Sequence, residues 1–122
     1  MEAKELRIGN WFVNFIGDYV QVNTYTFQNI GLYPMSPIEL TEEILLKCGF
    51  ENEHDDIDGI YYDIYYPKKK SEIYFVIEYK IECKAYYFTY EGNILSKNIK
   101  HLHQLQNLYY ALTGNELEVC LA

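Results

Sequence analysis

Residues that could bind a metal ion are densest between Glu53 and Gly59. An EF-hand calcium loop requires acidic residues at positions 1, 3 and 5, glycine at position 6 and glutamate at position 12, and in the run EHDDIDG residues Asp56, Asp58 and Gly59 fit positions 3, 5 and 6. With Gly59 at position 6, however, position 1 falls on His54 and position 12 on Tyr65. The template therefore fails at its two strongest ligand positions. We interpret the run as a solvated acidic loop and predict no bound metal.

The histidines and cysteines show no catalytic or metal-binding spacing. His101 and His103 are two apart, which on a helix separates them by about 200°, so we expect surface or helix-entry positions. Cys48, Cys83 and Cys120 form no CxxC pair, and we expect buried reduced thiols. The sequence also lacks GxSxG, HExxH and phosphate-loop motifs. We predict no catalytic residue and no cofactor.

The acidic side chains are concentrated in one segment. The chain has 18 acidic and 10 basic residues and a formal net charge of −8. Residues 37–66 contain nine of the acids but Lys47 as their one basic residue, so this segment accounts for the whole imbalance. A negative surface disfavours duplex nucleic acid and anionic membranes, because both require basic contacts. We expect a protein partner instead, with Asp55, Asp56 and Asp58 as candidate contacts.

The tyrosines cluster beside the acidic segment. Nine of the 14 tyrosines lie between residues 61 and 90, several of them as adjacent pairs. Neighbouring residues of a strand point to opposite faces, so part of this set must line an outer face. Exposed tyrosine offers rigid amphipathic contact area, and Tyr61, Tyr65 and Tyr86 are candidate partner contacts. Alternatively, the tyrosines are strand formers that fill half-buried positions.

The C-terminal helical pattern has a polar face of side-chain amides. Gln104, Gln106 and Asn107 could hydrogen-bond a partner, and we name Gln104 and Asn107 as candidate contacts. The alternative is an ordinary amphipathic helix packed across a sheet. In either case its leucines face inward: Leu102, Leu105 and Leu112.

The N-terminal third predicts a hairpin followed by a loop. Strand-forming runs over residues 11–16 and 19–27 flank a Gly-Asp turn. Pro37 lacks the N–H that a β-ladder requires. We therefore expect residues 29–39 to form a connecting loop.

Two short amphipathic helices are predicted, at about 41–48 and 99–113. Thr41 can cap the first, and Gly49 is placed to end it in a left-handed conformation. In the second helix, apolar residues recur every three to four positions until Gly114.

Alternating patterns predict strands around these helices. Residues 60–66 alternate, and from Ile73 apolar residues of one parity continue to Ala85. A strand running on to Tyr90 would exceed the usual 3–10 residues, so we expect a bend or bulge near residues 82–84. Residues 91–93 predict a hairpin turn, and residues 116–121 predict a closing strand.

Strands and helices are segregated along the chain, which favours an α+β fold. We predict a single domain over residues 1–122, with an antiparallel, strongly twisted sheet or a partly open small barrel. The charged N-terminal residues do not fit a signal peptide, and no run reaches the ~18 apolar residues of a membrane span, so we expect a cytoplasmic protein.

Four sequence blocks together resemble a group of small uncharacterised proteins of gut-bacterial genomes and their prophages. The blocks are LRIGNW at 6–11, PIELTEEILLKCGF at 37–50, HQLQNLYYALTG at 103–114, and Glu116-Leu117. The resemblance implies a mobile-element setting and assigns no catalytic residue.

The leading hypothesis is therefore a non-enzymatic protein-interaction module that uses a tyrosine-rich sheet face or the acidic segment 37–66. One alternative is an acidic mimic of nucleic acid that occupies a basic groove. Another is a small metal-dependent hydrolase with His54, Asp55, Asp56 and Asp58. The sequence does not specify an oligomeric state.

Overall fold

The computed structural model describes residues 7–25, 35–57, 60–67, 75–81, 83–91 and 93–121, without the side chains of 55–57 and 60–62. The chain forms two compact units. Unit 1 comprises Met1–Leu40 and His101–Ala122, and unit 2 comprises Thr41–Lys100. Each unit combines an antiparallel sheet with helix in the described residues, which confirms the α+β class. A single domain over 1–122 stays a prediction.

Unit 1 contains a three-stranded sheet. Strand β1 (Trp11–Asn14) lies between β2 (Tyr19–Gln21) and β3 (Met35–Pro37), antiparallel to both. The predicted hairpin is confirmed, but β2 stops at Gln21, short of the expected residue 27. The Val22 carbonyl still accepts a hydrogen bond from the Gly9 amide at 2.8 Å, but Thr24 and Tyr25, the last residues described before Met35, are helical.

Strand β3 corrects the predicted loop over 29–39. Pro37 pairs with Phe12, and Met35 pairs with Asn14. The proline is accommodated because β3 is an edge strand and Pro37 is its last residue, so no further strand needs its missing N–H. The part of the predicted loop before Met35 lies outside the described residues.

The helix of unit 1, α2 (Leu102–Thr113), begins three residues later than predicted. The prediction began too early because Ile99, an apolar residue, fits the helical spacing as well as a strand. In the structure Ile99 ends a strand and is 1% exposed. The helix ends at Gly114 as predicted. Leu102 and Leu105 are buried as expected, but Leu112 is 37% exposed, in the last turn beyond the last buried residue of the helix.

The predicted closing strand over 116–121 does not form; these residues have no β-ladder. Their alternation nevertheless corresponds to alternating burial, since Leu117 and Leu121 are buried while Glu116, Glu118 and Cys120 are exposed. Burial by itself can therefore produce the pattern that we assigned to a strand.

Unit 2 begins with α1 (Glu42–Lys47), which has the predicted termini. Thr41 Oγ1 accepts a hydrogen bond from the Ile44 amide at 3.2 Å, and Gly49 has φ +86°. A five-stranded antiparallel sheet follows in the order of the sequence. Its strands are β4 (Phe50–Ile57), β5 (Ile60–Pro67), β6 (Phe75–Lys80), β7 (Ala85–Tyr90) and β8 (Asn93–Ile99).

Strand β4 corrects the predicted acidic loop over 53–59. It pairs with β5 along its whole length, from Phe50 with Pro67 to Ile57 with Ile60. β4 is an edge strand, and Glu51 and Glu53, which are exposed, place charge there, which discourages pairing with other chains. Asp-Gly between the two strands is a sequence signal for a two-residue hairpin loop.

The predicted bend near residues 82–84 is a chain reversal between β6 and β7. Lys84 has φ +51° and donates its amide hydrogen bond to the Ile81 carbonyl at 3.3 Å. Ile81 and Cys83, which continue the apolar parity of the predicted strand, are exposed because they lie in this turn. The predicted turn between β7 and β8 is confirmed.

The core of unit 2 lies on one face of this sheet. Phe75 stacks on Phe88 with ring centroids 5.2 Å apart and contacts Phe50 edge-on at 6.0 Å. Ile44 and Leu45 of α1 are buried. No helix in the described part of the chain is long and apolar enough to cross a membrane.

Candidate functional site

The two faces of the five-stranded sheet differ in character. The inner face contains the core residues Ile77 and Phe88, which pair across β6 and β7. The outer face contains the residues of the opposite parity, such as Glu78, which pairs with Tyr87. Directly paired residues share a face, so the strand register shows which side chains meet.

Two of the predicted tyrosine contacts lie on the inner face. Tyr65 is 1% exposed and forms part of the core, so it does not lie at the surface as a contact residue must. Tyr86 is partly buried, with its ring centroid 6.1 Å from that of Tyr65 and 4.7 Å from that of Tyr79. Burial raises the pKa of Tyr86 to about 12, and the neighbouring Tyr79 and Asp63 reinforce this shift. Burial also raises the pKa of Tyr65.

A histidine and an aspartate pair at the edge of the inner face. His54 of β4 is opposite Asp63 of β5, with His54 Nδ1 3.2 Å from Asp63 Oδ1. The histidine side chain is 52% exposed and the aspartate side chain 16% exposed. In the described residues, no group of three His, Cys, Asp or Glu side chains could hold a metal ion.

The outer face brings acidic and aromatic side chains together in one row. The pairings connect Glu53 to Ile64, Ile64 to Glu78, and Glu78 to Tyr87, across four strands from β4 to β7. In a neighbouring row, Glu51 is opposite Tyr66. Below, "outer face" means these six residues. Two of them are exposed, Glu51 and Glu53, and four are partly buried, namely Ile64, Tyr66, Glu78 and Tyr87.

The sequence prediction therefore missed Tyr66 and Tyr87. Each is adjacent to a named candidate, Tyr65 or Tyr86, but points to the opposite face. The signal that could have found them is whether a residue number is odd or even, since this decides its face of the strand. Ile77 and Phe88 pair on the inner face, so the odd-numbered residues of β7, such as Tyr87, lie on the opposite face. The turn over 81–84 breaks the parity that we extended from Ile73 to Ala85.

The Tyr87 ring is also a site of cation contact. Lys80 Nζ lies 4.7 Å from the ring centroid, on the same face. An aromatic face in this position can attract a cation.

The acidic candidates are only partly described. Asp55 and Asp56 belong to β4, where they pair with Tyr62 and Tyr61, but these side chains are outside the described part of the structure. Asp58 is not among the described residues. Contacts at Tyr61 and at all three aspartates stay predictions.

The predicted amide contacts of α2 have partners within unit 1. Gln104 Oε1 accepts a hydrogen bond from the His101 amide at 3.1 Å. Asn107 Oδ1 accepts one from Arg7 Nε at 3.1 Å and one from Asn10 Nδ2 at 3.0 Å. Gln104 therefore hydrogen-bonds the N-cap of its own helix, while Asn107 joins the helix to the N-terminal segment, and a partner contact by either residue stays a prediction.

Two further residues continue this network. Gln106, 1% exposed, accepts from the Trp11 amide at 2.9 Å and donates to the Gly9 carbonyl at 3.0 Å. Arg7 pairs with Glu116, and its guanidinium lies 4.4 Å from the centroid of the Tyr110 ring. The network therefore connects three of the sequence blocks: 6–11, 103–114 and 116–117.

The remaining histidine and cysteine predictions are partly wrong. His101 is the N-cap of α2, as expected for a helix-entry residue, but His103 is 3% exposed and packs on Phe12 at 5.1 Å between ring centroids. The two histidine rings stack 5.7 Å apart because His101 has an extended backbone, so the helical angle between them does not apply. Cys48 is buried as predicted, whereas Cys83 and Cys120 are exposed.

Comparison of the chain with protein-family models, curated proteins and solved structures finds no match.

Proposed function

We propose that this protein is a non-enzymatic protein-interaction module that binds a partner through the outer face of its five-stranded sheet. The observation that supports the proposal is the row from Glu53 through Ile64 and Glu78 to Tyr87. The resemblance of four sequence blocks to small proteins of gut-bacterial genomes and prophages implies a mobile-element setting.

The chemistry of the outer face favours a partner with a basic contact surface. Ile64, Tyr66 and Tyr87 offer apolar and aromatic area, and interfaces place such residues at their centre. Exposed Glu51 and Glu53 lie on the edge strand beside them. Lysine or arginine side chains of a partner can pair with these carboxylates and fix its orientation.

The test is a double charge reversal, Glu53→Lys/Glu78→Lys. The matched control, Glu39→Lys/Glu43→Lys, makes the same change in net charge at exposed positions that are not among the six residues of the outer face. Proteins retained by the wild-type chain from its native host are identified, and the purified partner is then titrated with each variant by calorimetry.

We expect the outer-face variant to bind at least about tenfold more weakly, while the control binds within about twofold of the wild type. Wild-type affinity should also fall as the salt concentration rises. Equal affinity of both double variants, or binding that is insensitive to salt, would contradict the proposal.

A further inference from the structure

The β1–β2 hairpin ends in two large apolar side chains that lie in solvent. Phe15 is 80% exposed and Ile16 is 66% exposed, the highest values for any large hydrophobic residue in the described part of the chain. Tyr19, 42% exposed, follows the turn. The proposed function uses none of these residues, which belong to unit 1.

The turn that displays them is fixed by hydrogen bonds. Asn14 Oδ1 accepts from the amides of Ile16 at 3.1 Å and Asp18 at 2.9 Å. The Asn14 amide donates to the Asp18 carbonyl at 2.9 Å, and Gly17 provides the left-handed conformation at φ +91°. A segment that is already ordered loses little conformational entropy when it binds.

The two side chains contribute little to the core of unit 1. The buried cluster of the β1–β2 hairpin consists of Phe12 and Val22, with Val20 and Met35 packed against them. Removing Phe15 and Ile16 should therefore leave the fold intact, so a role in binding can be separated from a role in folding.

The charge of the hairpin favours a protein over a membrane as its binding partner. Asp18 is the one charged side chain from Trp11 to Gln21. Hairpins or helices that bind anionic lipid headgroups need lysine or arginine beside their apolar residues. An acidic side chain beside the apolar tip instead complements a basic residue of a protein.

We propose that Phe15 and Ile16 insert into an apolar pocket of a partner protein that has a lysine or arginine at its rim, facing Asp18. Two adjacent apolar side chains on a tight turn fit a pocket, and buried apolar anchors of this kind supply most of the affinity of an interface.

The first experiment places a photo-crosslinking benzoylphenylalanine at position 15 in the full chain, in its native host. The cross-linked protein is identified, purified without the cross-link, and titrated with the wild-type chain, with Phe15→Ser/Ile16→Ser and with Asp18→Asn. The control Leu46→Ser/Leu112→Ser removes two other exposed apolar side chains, which lie on helices.

We expect the tip variant to bind at least about tenfold more weakly and Asp18→Asn about threefold more weakly, with the control within about twofold of the wild type. The melting temperature of the tip variant should stay within about 3 °C of the wild type, which shows that it folds.

Four outcomes would overturn the proposal. The first two are the absence of any cross-linked protein and equal affinity of the tip variant and the wild type. The third is binding of the wild type, but not the tip variant, to phosphatidylcholine vesicles, which would indicate a membrane contact. The fourth is a wild-type dimer that the tip variant dissociates in sedimentation, which would indicate a second copy of the chain.

Discussion

At the scale of single residues, polar side chains that a sequence presents as surface groups act as internal partners. Gln106 is on a helix rich in amides, yet it is 1% exposed and serves both a backbone donor and a backbone acceptor. An amide can satisfy both because it has an acceptor oxygen and a donor nitrogen. The sequence does not show this role, because the Gly9 and Trp11 backbone groups reach the helix only in the fold.

We predict that Gln106→Leu lowers the free energy of unfolding by about 1–3 kcal/mol. The partly buried Trp11 amide would lose its acceptor, and a donor left unsatisfied away from water costs about this much. The control is Gln21→Leu, because Gln21 Nε2 donates to the same Gly9 carbonyl at 2.9 Å but is exposed. Urea unfolding measures the free energy of unfolding of both variants. Equal losses of stability would contradict the larger role that we assign to the buried Gln106.

The buried tyrosine Tyr86 predicts a loss of stability at alkaline pH. Its pKa of about 12 in the folded protein exceeds the ordinary value of 10.0, so the folded state keeps the proton that the unfolded state releases. The contribution is fully present below pH 10 and is lost between about pH 10 and pH 12, by up to about 1.4 kcal/mol per pH unit.

This prediction is tested with Tyr86→Phe in urea unfolding at pH 8, 10 and 11. The phenylalanine variant should lose less stability over this range than the wild type, because it has no proton to release. Tyr19→Phe, at an exposed position in the hairpin, should follow the wild type. If all three proteins lose stability in parallel, burial of the Tyr86 hydroxyl does not matter for unfolding.

At the scale of elements, the ends of α1 are well determined by local chemistry. The helix has six residues, so one cap serves a large part of its backbone. We predict that Thr41→Ala destabilises the protein by about 1 kcal/mol, because the Ile44 amide loses its acceptor. Thr41→Ser retains a hydroxyl and should remain close to the wild type in thermal unfolding; a loss as large as that of alanine would point to packing of the threonine methyl group instead.

Elements with strong local signals were predictable, and their pairing was not. Thr41, Gly49 and Gly114 specify helix ends through interactions within a few residues. Pro37 was misassigned because its tolerance depends on β3 being an edge strand, which is a property of the sheet. The acidic run of β4 was misassigned for the same reason.

The candidate surface depended even more on pairing. Adjacent tyrosines must point to opposite faces, and the sequence shows this for Tyr65-Tyr66 and Tyr86-Tyr87. For Tyr86-Tyr87, the outward member follows from the pairing of β7 with β6. The turn between them has four residues, so odd-numbered residues of β6 pair with even-numbered residues of β7. Tyr66 and Tyr87 lie on the outer face, whereas the sequence prediction named the inward member of each described pair.

At the scale of the whole molecule, the net charge is shared by both units. Unit 1 contains six acidic and two basic residues, and unit 2 contains twelve and eight, so each has a formal charge of −4. The concentration of acids over 37–66 is a feature of the sequence. In the fold, four of these nine acids belong to one edge strand, β4, and its exposed glutamates, Glu51 and Glu53, are part of the outer face.

The chain path predicts that unit 2 is an insertion that can be removed. Unit 1 is interrupted between Leu40 and His101, and the two ends lie side by side, because Glu39 pairs with His101 and the Leu102 amide donates to the Ile38 carbonyl at 2.9 Å. Paired residues of an antiparallel bridge have Cα atoms about 5 Å apart. A short Gly-Ser linker in place of residues 41–100 should therefore close unit 1 without strain.

The excised segment Thr41–Lys100 should also fold, since it is contiguous and Phe50, Phe75 and Phe88 pack together within it. Its small size limits its stability to a few kcal/mol, about 3–5 at most. We expect a cooperative urea transition and slow amide exchange in β5, β6 and β7, the central strands. Phe88→Ala should abolish the transition, because such a truncation costs about 3–5 kcal/mol. A segment that is unfolded in water would show that its core requires the rest of the chain, and would favour the single domain predicted from the sequence.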